Sequence, residues 1–212
     1  MKKVLVSILL SLVASLPVFT QDSTSSGKKP EFRISGGLSI PSLPHDFRQY
    51  YKTGYNVGLA YGYTFEPGDF GYSTVFASVE HNRFYFNLIG WEQDHGKIRK
   101  VYASWNSSTS MTNLMLNDKG TLTKPHQSVA PYFLIGIGYI RVQTDAVEIT
   151  GDTIATIDAS SESSISYSLG TGFDIAANDH LGFFVEWRFL IGTAATPGRQ
   201  LFPLCVGMRY RP

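Results

Sequence analysis

Charge, cysteine and long apolar runs are all scarce in this 212-residue chain. Its single cysteine excludes a disulfide framework. The 18 Lys and Arg against 17 Asp and Glu leave a formal net charge of +1, so the chain lacks the basic field that binds nucleic acid. Beyond residue 20, no segment approaches the roughly 20 apolar residues that a transmembrane helix requires. Any membrane span beyond residue 20 must therefore consist of β-strands.

The N-terminus has the layout of a secretory signal peptide. Met1–Lys3 is cationic, Val4–Val13 is apolar or small, and Pro17 interrupts the apolar stretch. We place cleavage after Thr20, with a retained anchor as the alternative. Residues 21–30 follow as a flexible polar leader, which leaves residues 31–212 as one domain.

Alternation with a period of two is the dominant pattern in that domain, and it is typical of β-strands. From Tyr55 to Phe65, every second side chain is bulky and apolar, and small or polar residues lie between. Two further strand candidates, 70–86 and 109–116, have a less regular pattern that leaves their register open. The remaining strand candidates are Phe32–Ile40, Val129–Val142, Ile165–Ile175, Leu181–Ile191 and Phe202–Tyr210. Eight strands fit an antiparallel up-and-down barrel.

The two faces of these strands distinguish a membrane barrel from a soluble one. In a soluble barrel the bulky face would point inward, and the glycine-rich face would form exposed strands that glycine weakens. A narrow eight-stranded barrel instead accommodates small residues and a few long ones inside, so the bulky face meets lipid. Closure also pairs every backbone group in hydrocarbon. The pattern favours an eight-stranded antiparallel transmembrane β-barrel, with a soluble exported lipid-binding barrel as the alternative.

Short and long connections alternate along the chain. Residues 66–69 and 176–179 are tight turns, and residues 117–127 form a somewhat longer one. The long connections are residues 41–53, 87–108, 144–163 and 193–200. Outer-membrane barrels combine short periplasmic turns with long external loops, so both termini are expected in the periplasm.

Several short segments resemble the small outer-membrane β-barrel proteins of the OmpA-like and opacity types. They are Gly36–Pro41, Tyr51–Asn56, Met111–Leu114, Pro131–Tyr139, Gly170–Gly172, Phe184–Arg188 and Gly207–Tyr210. The resemblance extends from about Phe32 to the C-terminus and implies a barrel of the Gram-negative outer membrane, without implying one activity. It makes outer-membrane lipid, lipopolysaccharide and the barrel-assembly machinery the expected partners of a monomer. Pro212 departs from the aromatic residue that usually ends such barrels, which puts recognition by the assembly machinery in doubt.

Charged residues also fall on the inward face of the expected barrel. They are Arg33, Glu80, Asp174, Glu186, Arg188 and Arg209. Buried charges need partners, so we expect a salt-bridge network that plugs the lumen. The alternative is a small porin-like channel with an ion path through the same residues.

Two of the long loops contain candidate interaction residues. The first loop combines tryptophan with basic residues: Trp91, Lys97, Arg99, Lys100 and Trp105. The second accumulates acidic residues around a tight turn at 149–154: Asp145, Glu148, Asp152, Asp158 and Glu162. Solvated hydrophilic loops are one interpretation, and a surface site for an extracellular ligand is the other.

Catalytic and cofactor motifs are weak. Some outer-membrane barrels are lipid A-modifying hydrolases that need His, Ser and an acid near the outer rim. The comparable triplet, His126–Ser128, lies on the expected periplasmic side and lacks the asparagine that follows serine in that family. The five histidines show no metal-ligand spacing. We therefore expect no enzymatic activity, metal or cofactor.

Overall fold

The computed structural model describes residues 28–68, 71–95, 98–102, 108–122, 128–151, 154–193 and 198–212. Two short helices lie in these ranges, α1 (His45–Tyr50) and α2 (Leu88–His95). The strands are β1 (Lys28–Leu43), β2 (Gly54–Gly68), β3 (Gly71–Tyr85), β4 (Ile98–Tyr102), β5 (Ser108–Thr121), β6 (Val129–Thr144), β7 (Val147–Gly151), β8 (Ile154–Ile157), β9 (Ser160–Ala176), β10 (Leu181–Gly192) and β11 (Gln200–Tyr210). The expected signal peptide lies outside the described residues. Neither described helix has the length and apolar character needed to cross a membrane.

Eight of these strands close into an antiparallel barrel, as the alternation predicts. Their order around the barrel is β1-β11-β10-β9-β6-β5-β3-β2. The first and last strands close it, with Phe32 opposite Tyr210. Strands joined by a connection are otherwise neighbours, so the barrel is of the up-and-down type.

Burial alternates along most of the described length of the barrel strands and separates an apolar outer wall from a mixed interior. In β9, Tyr167, Leu169 and Phe173 are exposed, whereas Ser166, Ser168 and Asp174 are buried. The sequence leaves the register of β3 open. In the structure, Glu80 on this strand points inward and Val79 points outward. The outer wall is therefore covered by large apolar side chains, which is the arrangement of a barrel that contacts lipid.

The barrel strands extend beyond the predicted segments at the end where the short turns lie, which we call the turn end. β1 begins at Lys28, so residues 28–30 of the expected flexible leader are strand. β5 continues to Thr121 through part of the turn predicted at 117–127. β5 extends this far because Lys119 is fully buried in the lumen, where it forms a salt bridge with Asp174 of β9.

The long connections lie at the opposite end of the barrel, which we call the loop end. Parts of them form helices and strands instead of the irregular hydrophilic loops that were one interpretation of the sequence. α1 lies in the link between β1 and β2, and α2 and β4 lie in the link between β3 and β5. β4, β7 and β8 form a separate three-stranded antiparallel sheet. β7 and β8 pair across the tight turn predicted at 149–154, with Thr150 opposite Ile154.

Candidate functional site

The barrel lumen changes character from one end to the other. At the loop end it contains an apolar group, which we call the loop-end cluster: Phe47, Phe84, Met111, Ile140, Val142, Leu190 and Leu201. Phe47 comes from α1, not from a barrel strand, and it meets Phe84 edge-on at a centroid distance of 5.1 Å. The helix thus folds back and inserts an aromatic ring among inward side chains of the barrel.

Charged side chains occupy the middle of the lumen. This central cluster consists of Arg33, Glu80, Glu186 and Arg188, all buried. Arg188 forms salt bridges with Glu80 and, at 2.8 Å, with Glu186. Arg33 pairs with the other oxygen of Glu186 at 3.2 Å, and the Tyr132 hydroxyl donates to that oxygen at 2.7 Å. Each acid therefore has a cationic partner, as burial requires.

A second charged group lies at the turn end. This turn-end cluster consists of Glu31, Lys119, Asp174, Arg209 and Arg211. Lys119 Nζ donates to Asp174 Oδ2 at 2.8 Å and to Glu31 Oε1 at 3.3 Å. Arg211 reaches Glu31 Oε2 at 2.6 Å, and Arg209 Nε lies 3.8 Å from Asp174 Oδ2. A 3.8 Å contact between Arg33 Nε and Glu31 Oε1 connects the two clusters.

All six charged residues expected inside the barrel lie in the lumen and take part in these contacts. Glu31, Lys119 and Arg211 were not among the expected lumen charges, because they lie beyond the strand segments assigned from the pattern. The period of two does carry the signal: Glu31 is two residues before Arg33, and Lys119 continues the inward set of Met115 and Asn117.

Glycines on the lumen face leave the space that these long side chains occupy. A Cβ on Gly170 would lie 2.5 Å from Cγ of Arg188, and a Cβ on Gly172 would lie 2.6 Å from the Tyr132 ring. Beside the central cluster, a cavity of about 20 Å³ is lined by Arg33, Glu80 and Arg188 among other residues. A volume of this size accommodates one water molecule but no hydrated ion.

Aromatic rings and a thiol pack around the central cluster. The Arg33 guanidinium lies 3.9 Å from the centroid of Phe184 and 4.9 Å from that of Phe76. Cys205, a buried free cysteine, donates to Asn56 Oδ1 at 3.3 Å and accepts from Arg188 at 3.7 Å. These contacts hold the two arginines in fixed positions across the lumen.

The candidate loop residues do not share one environment. Trp91 is buried against Val147 and Ile149, and its ring stacks on His95 at 4.0 Å, so it cannot present its indole to a partner as expected. The physical reason is that α2 packs on the three-stranded sheet and buries its only indole there. Among the acids, Asp145, Glu148 and Asp158 are exposed, and Glu162 is half-buried. Lys97, Trp105 and Asp152 lie outside the described residues, and Arg99 and Lys100 are described only by their backbone on β4.

The two helices are joined by polar contacts outside the barrel wall. The Tyr50 hydroxyl donates to Asp94 at 3.0 Å, and Gln49 Nε2 donates to the Gly90 carbonyl at 3.2 Å. Partial burial and the hydrogen bond to Asp94 raise the pKa of Tyr50 to about 12. The helices therefore form a packed unit at the loop end.

Comparison with known proteins accounts for this architecture. A family model described as "outer membrane protein beta-barrel domain" matches residues 7–199. The chain belongs to this family. Membership implies an outer-membrane location in a Gram-negative bacterium, where the exposed apolar wall contacts lipid.

Solved structures of the same architecture are distant in sequence. Neisserial surface protein A is 14% identical, with a TM-score of 0.53 over 88% of this chain and 98% of that one. The attachment invasion locus protein Ail of Yersinia pestis is 14% identical, with a TM-score of 0.52 over 89% of this chain and all of that one. At such identities the comparison shows the fold alone. No curated protein matches the chain.

The hydrolase-like triplet is described only in part. His126 of the triplet lies outside the described residues, and Ser128 is exposed next to β6. Within the described ranges, His, Cys, Asp and Glu side chains form no group of three or more that could hold a metal ion. The chemistry that the described residues offer consists of the paired charges of the lumen and the surface at the loop end.

Proposed function

We propose that this outer-membrane protein is a surface barrel with a closed lumen whose structured external loops bind an extracellular partner. The observation that carries the proposal is the succession of three side-chain groups along the lumen. The loop-end cluster is apolar, and the central and turn-end clusters are paired charges. A role in transport would need a continuous polar path instead.

Closure is supported from both ends of the lumen. Phe84, Met111 and Leu201 of the loop-end cluster are fully buried, so an ion that entered there would lose its hydration without gaining polar partners. The charges below are already neutralised in pairs, and eight strands leave little free width once side chains fill the interior. A small channel therefore remains the less favoured function.

Planar-bilayer recording distinguishes the two functions. Refolded protein in bilayers at 1 M salt is expected to leave the baseline conductance unchanged, because no hydrated ion fits past the lumen side chains. A porin reconstituted in the same bilayers is the positive control. Stable, reproducible conductance steps from the wild-type protein would contradict a closed lumen.

The packing of the external connections into a defined structure supports an interaction role. Purely solvated loops would not bury Trp91, Val147 and Ile149 together. The resulting unit holds the exposed acids Glu148 and Asp158 on a fixed framework, and the structural relatives are named as a surface protein and an attachment protein. The partner expected for such a surface carries complementary basic groups.

Replacing residues 146–158 by a short Gly-Ser linker tests this role. Bacteria that display the variant are expected to lose most of their adhesion to a surface coated with basement-membrane extract. The barrel itself is expected to keep its heat-modifiable gel migration, because its strands are untouched. A matched variant, Glu148→Gln with Asp158→Asn, keeps the framework and removes two charges, so it isolates the electrostatic part. Unchanged adhesion of the linker variant would count against the loops as the binding surface.

A further inference from the structure

The apolar outer wall is interrupted at the seam between β3 and β5. Elsewhere the outward apolar residues extend over most of a strand, as from Phe32 to Ile40 in β1. In β5 they are reduced to Leu114 and Leu116, with Thr112 on the loop-end side and Asp118 on the turn-end side. The outward apolar residues of β3 stop at Val79, and the outward positions nearer the loop end are His81 and Arg83, followed by Tyr85 at the end of the strand. Lipid at this seam therefore meets a shorter apolar wall than elsewhere.

Two cross-strand rows of polar residues occupy the loop-end side of the seam. In the lower row, His81, Thr112 and Arg141 are directly opposite one another on β3, β5 and β6. In the row above, the directly opposite residues are Arg83, Ser110 and Gln143. Period-two alternation places all six on the outer face of the barrel, and we call them the basic seam. With strands about 4.8 Å apart, the backbones of β3 and β6 lie roughly 10 Å from each other here.

The arginines of the basic seam have no acidic partner among the residues that the structure describes. Arg83 uses Nε to donate to Ser108 Oγ at 3.2 Å, and Arg141 uses Nε to donate to Ser161 Oγ at 3.3 Å. Among the described residues, no carboxylate lies within 4.0 Å of either guanidinium. The acid connected to them is Asp145, which accepts from Ser108 at 2.9 Å, one hydroxyl away from Arg83. The terminal amino groups of both arginines are therefore available to an external anion.

We propose that the basic seam binds a phosphate-bearing lipid of the outer leaflet. The two arginines take its phosphate groups, and the half-buried imidazole of His81 lies in the same row as Arg141, below Arg83. Val79 and Leu114 continue directly toward the membrane centre, so acyl chains descend over apolar residues while the phosphates stay at the arginines. This vertical order of cation above apolar wall matches an anionic lipid and not a soluble protein partner. Tyr139, outward and exposed on β6, flanks the site at the level where interfacial aromatics lie.

The proposal depends on the outer-membrane placement and on the loop end being external. It does not require a closed lumen or an adhesive role. Its test measures lipid retention, so failure of the lipid site is distinguishable from failure of the proposed function.

Native mass spectrometry of refolded protein, released from neutral detergent, tests the site with phosphatidic acid as the probe and phosphatidylcholine as the zwitterionic control. The wild type is expected to retain phosphatidic acid selectively. The double variant Arg83→Gln and Arg141→Gln is expected to bind phosphatidic acid at least about tenfold more weakly, since it loses both charge-assisted contacts. Inorganic phosphate added at equal concentration is expected not to compete, because it lacks the acyl chains.

The matched control is Arg48→Gln with Lys52→Gln, which removes two exposed cations from the same end of the protein but not from the barrel wall. This control is expected to bind phosphatidic acid like the wild type, and heat-modifiable migration verifies that both double variants are folded. Equal binding by the seam variant and the wild type would overturn the proposal. An equal loss in the two double variants would also overturn it, by showing unspecific attraction, and so would full competition by inorganic phosphate.

Discussion

Replacement of Arg188 by methionine is expected to lower the free energy of unfolding of the barrel by about 3–5 kcal/mol. Arg188 contacts both Glu80 and Glu186, and all three side chains are buried in the middle of the lumen. In the variant, Glu80 would lose its salt bridge to Arg188. Glu186 would keep one salt bridge, the one to Arg33. Urea unfolding in lipid vesicles, followed by gel migration, measures the change.

Two further variants make the Arg188 result specific. Arg48→Met also removes an arginine, but from the exposed surface of α1, and is expected to change stability by no more than about 0.5 kcal/mol. Combining Arg188→Met with Glu80→Gln is expected to recover part of the lost unfolding free energy, because the second substitution removes the buried carboxylate that the first leaves unpaired. Equal, small effects of Arg188→Met and Arg48→Met would show that the central cluster does not stabilise the barrel.

Leu169→Arg is the second substitution with a large expected effect, a loss of about 2–4 kcal/mol of unfolding free energy in lipid vesicles. Leu169 lies on the outward face of β9 and is 59% exposed. In water, a charge at such a position would cost almost nothing. In hydrocarbon it costs the desolvation of the guanidinium, so the effect reports the medium around the wall.

Ser161→Arg provides the control on the same strand. Ser161 has the same outward orientation as Leu169 but lies near the loop end of β9, beyond the apolar belt. Its substitution is expected to leave the stability within about 0.5 kcal/mol of the wild type. If Leu169→Arg were equally harmless, the exposed apolar wall would not be in contact with lipid, and a soluble exported barrel would be the better interpretation.

The fold was accessible from the sequence because alternation is a local property. Each outward Leu, Val or Tyr in β2 or β9 is identified by its immediate neighbours, and closure of eight such strands follows from the need to pair their edges. Strand ends were less accessible. β1 and β5 extend beyond the predicted segments because Glu31 and Lys119 are held by partners on other strands, and local alternation does not contain those partners.

The candidate sites were accessible only in part. The inward charges, such as Glu80 and Arg188, could be assigned to the lumen from their position within a strand. The insertion of Phe47 from α1 could not, since it depends on how a connection folds back over the barrel. The burial of Trp91 is similar, because it requires α2 to pack on a sheet that contains β7.

By itself, the sequence determined the barrel fold, the inward and outward faces of six of its strands, and, through short segments that resemble small outer-membrane barrels, the family. Only the tertiary structure decided which charges meet, as Arg33 meets Glu186 and Lys119 meets Asp174 across the lumen. It also decided that Arg83 and Arg141 lie in one basic seam, where no described carboxylate pairs with them. The physical reason is that alternation repeats within each strand, whereas contacts across a barrel depend on the register by which all eight strands close.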